Sequence, residues 1–264
     1  MMAAAAREAG ASAVLLAPPL AELVAEADVS ADGDDLRDLL VAARLDEPVL
    51  VEAATAERMV RPYSWLLDRA GADGIKLTSA GRLAPADVEA AMTELNLGEE
   101  WIGKGNREAQ TLPVLHLRES AMKVGLLRRY RGRLVATPRG RSLRGDPVGL
   151  WWLLAEQLPL KAPEEIEAHA GLLLLAVIAA GGAGDLGREV ARLLGDVGWA
   201  RPDGTPVSDA LAAFAIYDTR TVLRRIGCFH PDRGGLGRER PNPDGVAFAR
   251  AALQTWPSQA TWPG

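Results

Sequence analysis

The 264-residue chain has a single cysteine, Cys228, and no segment typical of a secretory signal peptide. One cysteine excludes an intramolecular disulfide, and this usage is typical of a reducing compartment. The most apolar run, residues 172–180, is about half as long as a membrane-spanning helix must be. The sequence therefore predicts a cytoplasmic protein without a membrane partner.

Aromatic residues and lysines are also scarce. Aromatic residues make up 5% of the chain, and four of its 30 basic residues are lysines. Few aromatics with much alanine, leucine and glycine favour closely packed helices over a β-sandwich. The preference for arginine is typical of GC-rich coding, so each arginine says less about specific recognition than it would in a balanced composition.

No motif predicts a metal site or a catalytic centre. The three histidines are scattered, and Cys228 with His230 offers two local ligands, fewer than a structural metal usually takes. Residues 182–187 fit G-x-G-x-x-G, but the apolar run before them has helical spacing and no second parallel strand follows. We expect a loop between helices with Asp185 as N-cap, no cofactor, and no enzymatic activity.

Charge is distributed unevenly along this acidic chain, whose net charge is −5. Residues 1–60 contain twelve acidic side chains and four arginines, whereas residues 118–144 contain nine basic side chains and one acidic side chain. Such asymmetry can mark a local binding face on an otherwise acidic molecule.

A pattern of strand, threonine, glycine and apolar residue occurs three times. It first appears at residues 75–83, ahead of a helix predicted from Pro85 to about Leu97. The fullest copy spans residues 112–144 and comprises a helix, a strand, an Arg-Gly turn, a returning strand and Thr-x-x-Gly-x-x-Leu. A weaker third copy follows the helical run that begins after Ser208, with Asn242 in the place of threonine. Between the second and third copies, helices are predicted at residues 147–158, 166–180 and 185–195.

Residues 115–141 resemble winged helix-turn-helix domains. They contain a helix ending in Gly125-Leu126, a basic strand, a glycine turn, a second strand and Thr137-Pro138-Arg139-Gly140-Arg141. The wider layout is similar to a group of uncharacterised proteins from high-GC bacteria that repeat such units. The resemblance implies a mainly α fold with small β-ribbons (α+β), built from tandem winged-helix-like units.

Four parts of the chain are predicted. Residues 1–60 form an acidic helical segment, and residues 61–158 form a pair of winged-helix-like units. Residues 159–165, which contain two prolines, form a linker. Residues 166–264 form a helical domain with a degenerate unit, and the tryptophans anchor one unit on the next.

The resemblance also implies a way of binding DNA. The helix before the wing can enter the major groove, and the ribbon can follow a phosphate backbone. Strand alternation is expected to turn Arg129, Arg131 and Arg133 away from Leu127 and Leu134, towards solvent. The candidate nucleic-acid-binding residues are Arg118 and Lys123 on the helix, and Arg128, Arg129, Arg131, Arg133 and Arg139 on and after the wing.

Two functions remain open at this point. One is a DNA-binding, regulatory protein that uses the basic unit. The other is a protein-protein scaffold of winged-helix-like units that binds no nucleic acid, because fold does not fix function. In the second case the acidic first 60 residues could cover the basic face. The surface around Arg129, Arg131 and Arg133 should distinguish the two.

Overall fold

Helices dominate the fold. The structure, a computed structural model, describes residues 18–27, 34–162, 164–230 and 239–255. These residues form α1 (Pro18–Ala27), α2 (Asp34–Ala43), α3 (Ala53–Ala70), α4 (Pro85–Glu94), α5 (Leu112–Lys123), α6 (Pro138–Ser142), α7 (Pro147–Glu156), α8 (Glu165–Ala179), α9 (Leu186–Asp196), α10 (Asp209–Ala215), α11 (Tyr217–Arg225) and α12 (Pro243–Thr255). Three short antiparallel strands, β1 (Ile75–Lys76), β2 (Leu127–Tyr130) and β3 (Arg133–Ala136), form one sheet in the order β1-β3-β2. The predicted mainly α fold with a small β-ribbon is confirmed.

Helix α8 lies at the centre of the molecule. Its residues 170–179 are all buried, because the helix is apolar on every side. It packs against α2, α9, α10 and α12. The apolar run therefore forms a core helix, as its spacing predicts. None of the described helices combines the length and apolarity needed to cross a membrane.

The first two copies of the sequence pattern share one sheet. Strand β1, from the first copy, pairs with β3 of the second, with Ile75 opposite Leu134 and Lys76 opposite Arg133. Residues 75–136 therefore contribute to a single three-stranded sheet, and the first copy has no ribbon of its own. The prediction placed a separate unit in each copy because strand pairing between distant segments leaves no trace in local spacing.

The second and third copies repeat the same local hydrogen bonds. The Thr137 hydroxyl donates to the Gly125 carbonyl at 2.7 Å and accepts from the Gly140 amide at 2.9 Å. Asn242 provides the equivalent contacts with its side-chain amide. Its Nδ2 donates to the Gly227 carbonyl at 2.7 Å, and its Oδ1 accepts from the amide three residues further on at 2.8 Å. The prediction that Asn242 takes the place of threonine is confirmed.

Two of the predicted boundaries fall within packed structure. Helix α3 runs through the boundary between residues 60 and 61, so the acidic segment does not end there. The predicted linker begins with buried residues, because Pro159 packs against Gly171 and the Thr219 hydroxyl accepts a hydrogen bond from the Leu160 amide at 3.1 Å. The start of this segment is therefore a packed connection between α7 and α8.

Helices α7 and α12 join the two halves of the chain. Helix α7 packs against α3 and α12, and α12 also packs against α8. The Trp151 ring lies edge-on to Trp152 and to Phe248, with centroid distances of 4.9 and 5.0 Å. Its indole nitrogen donates to the Met59 sulfur at 3.3 Å. Trp151 therefore packs α7 against α3 and α12, whereas Trp256 and Trp262 lie outside the described residues.

Candidate nucleic-acid interface

The candidate interface is built on the β2–β3 ribbon. Arg131 and Gly132 form its turn with φ angles of 47° and 72°, the left-handed conformation that two-residue hairpin turns require. The Leu77 amide donates to the Gly132 carbonyl at 2.9 Å and ties this turn to the end of β1. The ribbon is therefore short, and its turn is fixed to the end of β1.

The two faces of the ribbon differ from the predicted ones. Arg129 pairs with Leu134, and directly opposed residues in a sheet share a face. Arg129 therefore lies on the face of Leu134, whereas Tyr130 and Arg133 form a pair on the other face. The predicted common solvent face is wrong, because the two-residue turn sets a register that places Arg129 and Arg133 on opposite faces.

Three arginines of the ribbon are exposed and remain without a carboxylate. Among the residues that the structure describes, no Asp or Glu oxygen lies within 4.0 Å of the nitrogens of Arg128, Arg129 or Arg131. The Arg129 guanidinium lies beside the turn at Gly81. The other two lie by Tyr130, each with its guanidinium carbon 5.1 Å from the ring centroid. We call these three residues the ribbon cations.

Arg133 and Arg139 are engaged within the molecule. Arg133 is half-buried and donates to the backbone carbonyls of Asp73 and Gly74, at 2.5 and 2.8 Å. It therefore fastens the ribbon to the loop after α3, and these bonds engage part of the guanidinium that was predicted to hold a phosphate. Arg139 is exposed on α6 and forms an ion pair of 3.2 Å with Glu156.

Arg118 is buried, so the prediction that it projects from its helix is wrong. Only 2% of its side chain is exposed, and it forms an ion pair with Glu108, whose carboxylate also accepts from the Leu83 amide at 2.8 Å. The buried face of α5 carries Val114, Leu117, Arg118 and Ala121, which have the i, i+3, i+4, i+7 spacing of a core stripe. That spacing was the signal in the sequence that places Arg118 inside.

The outer face of α5 is covered by α11. Lys123 is exposed but forms an ion pair with Asp218, and the His116 ring lies edge-on to Tyr217 at 5.5 Å. Burial lowers the pKa of His116, and the negative charges of Glu119 and Asp218 oppose that shift. The helix predicted to enter the groove is therefore partly covered by α11 along this face. No local pattern in the sequence indicates that α11 packs there.

The inner side of α5 is fixed to α3. The Tyr63 hydroxyl lies 2.9 Å from the Ser120 hydroxyl, and burial raises the pKa of Tyr63 to about 12. A neutral phenol is therefore held between the two helices at neutral pH. This contact further fixes α5 within the fold.

The acidic N-terminal segment lies elsewhere. Helix α2 packs against α8 and α9, with Asp35 forming an ion pair with Arg192. Glu47 forms ion pairs with Arg44 and with Arg250 of α12. The described part of this segment therefore does not cover the ribbon cations, whereas residues 1–17 and 28–33 lie outside the described residues.

Two further cations flank the ribbon, and neither was among the predicted residues. Lys76 ends β1 and Arg82 lies in the turn beside Gly81, and both are exposed. Within the described ranges, neither forms an ion pair with a carboxylate. Together with the ribbon cations they give this end of the molecule five positive charges that form no ion pair with a carboxylate of the described residues.

Metal, dinucleotide and small-molecule sites have less support among the described residues. The described residues contain no cluster of three or more His, Cys, Asp or Glu side chains that could hold a metal ion. Residues 182–187 follow helix α8 instead of a strand, and Asp185 caps α9 by accepting from the Arg188 amide at 3.2 Å, as predicted. A cleft of about 110 Å³ beside α10 and α11 is lined by Lys123, Leu160, Lys161 and Phe214 among others.

No family model, curated protein or solved structure matches this chain.

Proposed function

We propose that the protein binds DNA through the ribbon cations of a winged-helix-like unit. The observation that carries this proposal is the exposure of Arg128, Arg129 and Arg131 with no carboxylate of the described residues near them. The order of α3, β1, α4, α5, β2 and β3, with β1 beside β3, supports a single winged-helix-like unit at residues 53–136. An acidic protein that keeps such a basic end can orient it towards a polyanion.

The contacts would be made to phosphates. Guanidinium groups on an exposed ribbon suit backbone oxygens, and contacts to the backbone carry no sequence information by themselves. Because α11 occupies the outer face of α5, base reading by α5 in the major groove is not part of the proposal. We expect binding with little sequence preference and a strong dependence on salt.

We further propose that residues 165–255 form a second, related unit. The equivalent bonds of Thr137 and Asn242 support this, as do two antiparallel bridges, Gly184 with Glu239 and Phe229 with Pro241. These bridges occupy the places of the β1–β3 and β2–β3 pairings in the first unit. The protein is then a tandem of two units that pack on each other through α5 with α11 and α7 with α12.

The test compares two triple variants in binding a short duplex, measured by fluorescence anisotropy at several salt concentrations. The first replaces the ribbon cations (Arg128→Ala/Arg129→Ala/Arg131→Ala). The matched control removes the same charge from ion-paired surface arginines (Arg44→Ala/Arg58→Ala/Arg188→Ala). We expect the first to bind at least about tenfold more weakly, with the slope of log K against log salt reduced by about 0.9 for each phosphate that the variant no longer binds.

The control should bind nearly as well as the wild type, because its arginines lie away from the ribbon. Failure of the wild-type protein to bind any duplex at low salt would refute the proposal. An equal loss of affinity in both variants would show that net charge, and not the ribbon, governs binding.

A second candidate is a protein-binding scaffold, and an apolar surface on α10 and α11 favours it. Leu211, Phe214 and Tyr217 are 38%, 71% and 45% exposed, and their spacing places them close together. Exposed apolar groups that cluster often mark protein contacts. In this case the ribbon variant and the wild type would retain the same stoichiometric protein partner after nuclease treatment and a high-salt wash.

A further inference from the structure

Tyr130 has an unusual place for an aromatic residue. It ends β2 on the exposed end of the ribbon, 45% exposed, and its opposite residue in the sheet is Arg133. A tyrosine at such a position buries little apolar surface, so packing in the core does not account for it. The guanidinium groups of Arg128 and Arg131, which precede and follow it in the chain, lie beside its ring.

The Tyr130 ring interacts with both of these arginines. Each guanidinium carbon lies 5.1 Å from the ring centroid, which is within cation–π distance. The two like charges are therefore no further apart than twice that distance, although they repel each other. The electron-rich ring face attracts both and restricts two long side chains that would otherwise sample many rotamers.

We propose that Tyr130 is a positioning residue that holds Arg128 and Arg131 as one clamp for a phosphate group. The inference rests on the proposed nucleic-acid function, and its ligand is a phosphodiester of the backbone. Two guanidinium groups held beside one ring can flank a phosphate, and ordering them before binding reduces the entropy lost when the complex forms.

The other arginines of the ribbon do not belong to the clamp. Arg133 is engaged with the carbonyls of Asp73 and Gly74, and Arg129 lies on the opposite face beside Gly81. The clamp therefore consists of Tyr130, Arg128 and Arg131. The other exposed cations, Arg129 among them, contribute to binding through their charge alone.

The experiment uses the full chain and measures duplex binding of Tyr130→Leu and Tyr130→Phe. The phenylalanine variant keeps the ring and should bind within about twofold of the wild type, whereas the leucine variant loses the ring and should bind at least about threefold more weakly. Equal affinity of Tyr130→Leu and the wild type would overturn the proposal, and so would a phenylalanine variant as weak as the leucine variant.

A double-mutant cycle separates positioning from a merely structural role. In an Arg128→Ala/Arg131→Ala background, Tyr130→Leu should cause no further loss, because it has no cations left to position. A full additional loss there would mean that the residue acts through the fold, and would overturn the inference.

A single strand of the same length identifies the remaining alternative. If Tyr130 stacks on unpaired bases, Tyr130→Leu will weaken single-strand binding and leave duplex binding unchanged, contrary to the clamp. Absence of wild-type binding to either nucleic acid refutes the proposed function and the clamp together. Wild-type binding that is insensitive to Tyr130→Leu refutes the clamp alone.

Discussion

Arg118 and Glu108 show what an ionisable residue does in this core. Both side chains are almost fully buried, and the Glu108 carboxylate also accepts from the Leu83 amide, which joins α5 to the loop before α4. Charges leave water at a high cost, so each depends on the other once buried. The pair therefore serves the packing of α5 and is not available to a ligand.

Glu108→Gln should destabilise the protein by about 3–5 kcal/mol, because it leaves the Arg118 charge buried without its main partner. Glutamine keeps the volume and can still accept from the Leu83 amide, so the loss of charge is the main change. Urea unfolding followed by circular dichroism measures the free energy of unfolding.

The double variant Glu108→Gln/Arg118→Met is the control. Because it removes both charges, it should be less destabilised than Glu108→Gln alone. A single variant as stable as the wild type would contradict the view that this pair is energetically coupled. Glu119, whose carboxylate is 3.8 Å from Arg118, is exposed and compensates little.

At the scale of elements, a glycine in the first turn of α6 and of α12 allows each helix to lie close to the backbone of an earlier segment. A Cβ at Gly140 would lie 2.2 Å from the Leu126 carbonyl oxygen, and one at Gly245 would lie 2.0 Å from that of Cys228. In both copies the glycine is the third residue of its helix. It contacts the residue that follows another glycine, Gly125 in one copy and Gly227 in the other. The Thr-x-x-Gly and Asn-x-x-Gly motifs therefore combine a helix cap with a close backbone approach.

Gly140→Ala and Gly245→Ala should each destabilise the protein by about 1–3 kcal/mol, because the added methyl group forces the helix away from the strand. Gly195→Ala is the matched control. A Cβ at Gly195 meets no heavy atom within 4 Å, so alanine should be neutral or stabilise α9 by up to about 1 kcal/mol. Thermal unfolding of the three variants checks the prediction, which fails if they shift the melting temperature alike.

Local elements were the most predictable part of the fold. The apolar spacing of residues 166–180 and the cap at Asp185 predicted α8 and α9 closely. The Arg-Gly turn predicted the ribbon, since Gly132 adopts the left-handed angle of such a turn without strain. The side on which each ribbon arginine lies was not predicted correctly, because it depends on the register across the turn.

At the scale of the whole molecule, two contacts of different character join the halves. Helices α7 and α12 meet through the buried Trp151 and Phe248 rings, whereas α5 and α11 meet through Lys123 and Asp218, which are 46% and 55% exposed. Exposed ion pairs contribute little, so most of the energy of association should come from α7 and α12.

Phe248→Ala should cost about 3–5 kcal/mol, whereas Asp218→Asn should cost less than about 1 kcal/mol. Circular dichroism and tryptophan fluorescence, recorded during urea unfolding, measure both variants. The two signals should fall together in the wild type, because one core spans both halves. A larger loss in Asp218→Asn than in Phe248→Ala would contradict this ranking.

The sequence by itself determined the helices, the ribbon, the repeated caps and the concentration of positive charge at residues 118–144, because spacing, turn residues and charge act over a few positions. Only the tertiary structure decided which arginines stay exposed. It brought Glu108 to the buried Arg118, fastened Arg133 to backbone carbonyls and packed α11 against α5. These outcomes depend on segments up to about a hundred residues apart, whose pairing is selected by the burial of apolar surface across the whole chain. Arg128, Arg129 and Arg131 keep their charge open to solvent because none of those segments brings a carboxylate of the described residues to them.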